Sequence, residues 1–117
     1  KQDSKSIAET EALLRNHKNH HLQENIEFLK KLYQNKDYEQ FFVAYQELNS
    51  DTKNYLSLDS EQDFKKYLEL NKGAQIADEY KILSEKIQIE KFAPFYNEEQ
   101  IEELLQNIIR LYEEIVK

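Results

Sequence analysis

Residues 97–117, Asn-Glu-Glu-Gln-Ile-Glu-Glu-Leu-Leu-Gln-Asn-Ile-Ile-Arg-Leu-Tyr-Glu-Glu-Ile-Val-Lys, carry the clearest periodicity in the chain. Ile101, Leu104, Leu105, Ile108, Leu111, Tyr112 and Ile115 recur at steps of three and four, which puts them on one face of a helix. Asn97 stands three residues before Gln100 in a capping pattern, and Glu98 and Glu99 lie where the helix dipole is positive. The opposite face is mostly Glu, by default a solvated surface. Just upstream, Pro94 lacks an N–H and disfavours helical geometry at the residue before it, so an earlier helix must stop there. Ile76, Tyr80, Leu83 and Ile87 supply that helix, expected to run to Lys91 or Phe92. Residues 87–92, Ile-Gln-Ile-Glu-Lys-Phe, alternate like a strand, but no second strand exists for them to pair with.

Further outward, Gly73 is the single glycine and falls where a helix C-terminus needs a left-handed residue. It closes a short helix carrying Phe64, Tyr67, Leu68 and Leu70, which Asp59 and Gln62 are expected to cap. Asp37 and Gln40 repeat the capping pattern and open a helix with Tyr38, Phe41, Phe42, Tyr45, Leu48, Tyr55 and Leu56. Phe41 and Phe42 are adjacent and point about 100° apart on a helix, so this stripe is wide and the helix is expected to be central. Leu22, Ile26, Leu29, Leu32 and Tyr33 predict a helix from His20 to Asn35, either a new one or a continuation of a helix in residues 1–19, since no Gly or Pro marks a break. Residues 1–19 are polar, with Ile7, Leu13 and Leu14 their large aliphatics, and read as a weakly anchored arm, helical from about Ser4 to Asn16. The chain opens Lys1-Gln2-Asp3-Ser4 and has no Met, so it is expected to be a processed or excised piece whose arm leads from an anchor outside it. The expectation is therefore an all-α, single-domain bundle of about five helices over residues 20–117. Its core should include Phe41, Phe42, Tyr45, Leu83, Ile87, Leu104, Ile108 and Leu111.

Composition supports this reading and removes several functions. With one Gly and one Pro in 117 residues, the chain lacks the turn residues an all-β fold requires. Leu, Ile, Val and Phe make up 32 residues, enough for a modest core. A formal charge of −7 argues against nucleic acid and anionic membrane surfaces, whose affinity comes from Lys and Arg. No apolar run approaches the roughly 18 residues that span a bilayer, so the fragment itself is not expected to insert. Without Cys there is no thiol nucleophile or Cys-ligated metal. A chain with one Gly cannot build a phosphate-cradling loop, nucleophile elbow or dinucleotide fingerprint. No catalytic residue and no cofactor is expected.

Two groups of side chains remain candidates for chemistry or recognition. His17 and His21 share a helix face, with His20 and Glu24 near, so two imidazoles have metal-ligand spacing. The zincin pattern puts Glu directly after the first His, which this stretch does not, and a polar face or helix junction is the favoured reading. The second group is the corner around Pro94. Phe92, Phe95 and Tyr96 are the candidate partner-binding residues, because a stiff corner can hold a ring outward at low entropic cost. The competing and favoured expectation is that Phe92 and Phe95 plug the end of the bundle.

The order of elements and the Lys91-Phe92-Ala93-Pro94 motif resemble the C-terminal helical domain of BatD-type aerotolerance proteins. They also resemble related short membrane proteins encoded beside MoxR-type ATPases and von Willebrand factor A proteins. The resemblance runs from about Ile26 to Val116: the Lys36-Asp37 turn, the Phe41-Phe42 pair with Leu48 behind it, Gly73, the basic-aromatic-Ala-Pro motif, and a closing Ile/Leu-seamed helix. Lys91 stands where Arg is usual, and the helix after Asp37 lacks the family's Arg-rich character. The resemblance implies a non-enzymatic domain on the cytoplasmic face of the inner membrane, docking the ATPase or the von Willebrand factor A partner in envelope stress or oxygen tolerance. It supplies no catalytic residue. Two other classes stay open: a small acidic surface lipoprotein binding a host or envelope partner, and an immunity or antitoxin-type protein.

Overall fold

The computed structural model describes residues 21–117. The expected arm over 1–19, its helix from Ser4 to Asn16, and His17 and His20 lie outside the described residues. Within them the chain forms five helices and no strand: α1 (21–34), α2 (Tyr38–Tyr55), α3 (Glu61–Asn71), α4 (Ala74–Lys91) and α5 (Glu98–Ile115). The strand-like stretch 87–92 is helical up to Lys91.

Three of the helices start at a side-chain cap, since the first N–H groups of a helix have no partner inside it. Asp37 accepts from the Gln40 amide and Asn97 from the Gln100 amide, as the spacing predicts. The third cap corrects the expectation at Asp59. Ser60 is the N-cap of α3, accepting from the Asp63 amide at 3.1 Å. Starting one residue later puts Glu61 and Asp63 in the first turn, where the dipole favours carboxylates, and brings Glu61 to Lys53 and Tyr80.

Helix ends explain how the fold manages with one glycine. Lys36 and Ser57 both take φ of 58°. Each is flanked by the same pair of bonds, Lys36 N–H to Tyr33 O with Asp37 N–H to Leu32 O, and Ser57 N–H to Asn54 O with Leu58 N–H to Lys53 O. These are Schellman closures, which satisfy the last carbonyls of α1 and α2. Gly73 has φ of 99° and ψ of 161°, so the expected positive φ is present in an extended rather than left-handed helical form, a region essentially reserved for glycine. It ends α3 through its N–H to Leu68 O and at once becomes the N-cap residue of α4.

α4 packs along α5, with α3 and α2 against its other flanks. One cluster forms the core: Leu22, Ile26, Leu29 and Leu32 from α1, Phe41, Phe42, Tyr45 and Leu48 from α2, Phe64 and Leu68 from α3, and the seams of α4 and α5. All eight expected core residues are buried. Two large apolar residues of α2 and α3 stay outside the core. Leu70 is exposed because it sits two residues, about 200°, around α3 from Leu68. Tyr55 is also exposed, and Thr52 takes the buried place on that turn, its hydroxyl donating to Leu48 O at 2.8 Å.

Candidate functional site

α4 ends when Phe92 and Ala93 donate their amides to Gln88 O and Glu90 O, and Pro94 prevents a further turn. α5 begins at the Asn97 cap, so the corner between them is anchored on both sides by packed helices. Phe92 is 73% exposed and Phe95 86%. The expectation that they plug the end of the bundle is therefore corrected: both rings stand in solvent. The end is closed instead by Tyr96, which is 42% exposed and lies 5.9 Å, centroid to centroid, from both Tyr38 and Phe42. Its ring extends a run of aromatic contacts from Tyr33 through Tyr38 to the Phe41–Phe42 pair. One ring of the predicted trio is thus a packing residue, and two are free faces. The Lys91 ammonium lies 5.4 Å from the Phe92 centroid, a cation–π approach at an exposed site.

The surroundings are acidic. Burial against the bundle raises the Tyr33 phenol above its ordinary range, and the Glu102 and Glu98 carboxylates add to the effect. Burial and then Glu98 do the same at Tyr38. The corner thus presents apolar rings beside a negatively charged α5 face.

A second polar arrangement, not anticipated from the sequence, lies between α2, α3 and α4. The Lys53 ammonium is 2.8 Å from Glu61, the Tyr80 hydroxyl donates to the same carboxylate at 2.7 and 2.8 Å, and the Asn49 amide donates to the Tyr80 oxygen at 2.9 Å. The donors have a fixed direction: Tyr80 has one proton and gives it to Glu61, so Asn49 must supply the next bond. Desolvation raises the Glu61 carboxyl, but the bonds from Lys53 and Tyr80 outweigh it and hold the group below its usual range. Burial drives the Tyr80 phenol far up. A locked ion pair and a phenol that stays protonated make a brace between helices. The signal for it in sequence was Glu61 itself, an acidic first-turn residue beside a misplaced cap.

Among the described residues no three His, Asp or Glu side chains gather to hold a metal, and His21 is exposed at the start of α1. No family model matches the chain, and neither a curated protein nor a solved structure shows significant similarity to it.

Proposed function

We propose that this chain is a non-enzymatic protein-docking domain of a membrane-anchored bacterial protein, engaging a MoxR-type ATPase or von Willebrand factor A partner through the Pro94 corner. The observation that carries the reading is the exposure of Phe92 and Phe95 at 73% and 86% on a corner that two packed helices and a proline hold in place. Aromatic rings this exposed bury little area within the fold, whereas on a pre-ordered corner they are the kind of anchor that dominates interface energies. A net charge of −7 adds a preference for a basic partner surface. The resemblance of the helix order and the Lys91-Phe92-Ala93-Pro94 motif to BatD-type domains supplies the partner class and the cytoplasmic side of the inner membrane as the place of action.

The test is a pull-down of the two partner classes with the Phe95→Ala variant. The corner reading expects the partner to be lost while the helical circular dichroism signal is kept. Retention of the partner by Phe95→Ala would remove the corner from the interface. Tyr96→Ala is a poorer probe, because its ring packs on Tyr38 and Phe42.

A further inference from the structure

α4 is apolar on two sides. Tyr80, Leu83 and Ile87 face the core, while Ile82 and Ile89 are 52% and 67% exposed. At 100° per residue, Ile82, Ile89 and Phe92 fall within a sector of roughly 80°, centred well over 100° from the buried seam. The full line along that outer face is Asp78, Ile82, Glu85, Ile89, Phe92, spaced by four, three, four and three. This is the spacing of a helix-pairing seam, with isoleucine at alternate positions and carboxylates between them. Beside it runs a shallow groove of about 230 Å³ between α4 and α5, edged by Ile82 and Lys86.

The charges decide what fits. On the α5 side the neighbouring groups are already engaged within the fold, Glu79 with Arg110 at 3.2 Å and Lys86 with Glu103 at 3.7 Å, while on the other side the exposed Lys81 flanks the stripe between Asp78 and Glu85. Asp78 and Glu85, both exposed on the seam, have no ion pair among the described residues. A second copy of the chain is a poor occupant. Pairing the stripe with itself in parallel register sets Glu85 against Glu85, and the antiparallel arrangement that matches Ile82 with Ile89 leaves the two Glu85 side chains one residue, about 1.5 Å of rise, from level across the same seam. Either places like charges inside a drying seam, where repulsion is strongest.

We infer that the outer face of α4 docks an amphipathic helix of a partner protein, with apolar residues over Ile82, Ile89 and Phe92 and Lys or Arg over Asp78 and Glu85. The inference rests on the docking reading above and extends it from the corner along the helix. The partner helix lies along the outer face of α4, with the α4–α5 groove at its flank beside Ile82, and reaches Phe92, where the corner takes over.

The probes are two synthetic amphipathic peptides about as long as α4, with Leu at the seam positions and either Lys or Glu at the positions facing Asp78 and Glu85. Binding is followed by fluorescence anisotropy at about 0.15 M salt, where exposed charges more than a Debye length apart are screened. The Lys peptide is expected to bind at least tenfold more tightly than the Glu peptide. Asp78→Lys with Glu85→Lys should invert that preference, and Ile82→Ser with Ile89→Ser should weaken the Lys peptide at least tenfold without loss of helicity. Equal affinities for the two peptides, or a preference unaffected by the Ile82 and Ile89 changes, would overturn the inference. So would sedimentation of the chain as a dimer that those two changes dissociate. The two readings fail separately: partner capture that depends on Phe95 while neither peptide binds leaves the corner and removes the stripe. Peptide binding with capture indifferent to Phe95 does the reverse.

Discussion

The hydroxyls of Tyr45 and Tyr112 lie 2.8 Å apart in the closed core, their rings meeting edge-on at 88° and tying α2 to α5 across 67 residues of sequence. Tyr112 is fully buried and has this one polar contact, whereas the Asn49 and Ser84 side chains lie close enough to the Tyr45 hydroxyl to offer it hydrogen bonds.

The pair should therefore respond asymmetrically. Tyr45→Phe strands the Tyr112 hydroxyl and is expected to cost about 1–3 kcal/mol, while Tyr112→Phe leaves Tyr45 its neighbours and should cost about 0.5–1.5 kcal/mol. The double variant, which removes both polar groups, should cost less than the two losses added. Urea unfolding of the three variants measures the cycle. Strict additivity would mean that the bond contributes nothing.

Acid should weaken the brace between α2, α3 and α4. Glu61 has a folded-state pKa below its unfolded value, so its contribution is complete above the ordinary carboxylate range and is lost as pH falls through the folded value. At the alkaline end, Tyr45, Tyr80 and Tyr112 all have raised pKa values, so their share is complete below about 10 and is lost as pH rises above it. Unfolding midpoints measured across pH should fall at both ends, and Glu61→Gln should flatten the acid limb and also soften the alkaline one, because the Glu61 charge helps raise the Tyr45, Tyr80 and Tyr112 phenols.

Backbone geometry gives a pair of opposite effects. A Cβ on Gly73 would meet no atom within 4 Å, so Gly73→Ala should destabilise by about 1–3 kcal/mol through its φ of 99° alone. Lys36, at φ of 58°, pays the left-handed penalty that glycine avoids, and Lys36→Gly should stabilise by about 0.5–1 kcal/mol. Thermal unfolding of both variants reads the signs directly.

In the α5 seam, Ile108 is completely buried and Leu104 nearly so. Replacing either with Ala should cost about 2–5 kcal/mol in urea unfolding.

Those seam residues also show where the sequence is most legible. α5 has one apolar face and one Glu-rich face, so periodicity alone identifies all seven of its buried side chains. α4 is harder to read because Ile87 faces inward while Ile89 faces water, and two opposed stripes on one helix imitate the alternation of a strand. Caps were readable where a single Asp or Asn preceded the helix, as at Asp37 and Asn97. They misled at Asp59-Ser60, where two good caps stand side by side and the tertiary bonds of Glu61 decide between them. The corner was legible as a place but not as an arrangement. That Tyr96 packs while Phe92 and Phe95 do not depends on Tyr38 and Phe42, more than fifty residues upstream in sequence.

The two solvent-facing rings at Pro94 are proposed to serve a partner. The most direct measurement is the Kd of the purified von Willebrand factor A or MoxR-type partner for the native chain and for a Phe92→Ala, Phe95→Ala double variant, with unfolding midpoints taken in parallel. At least a tenfold loss of affinity is expected with the midpoint unchanged, since neither ring is buried. An unchanged Kd, or a loss that appears only together with a lowered midpoint, would contradict the proposal.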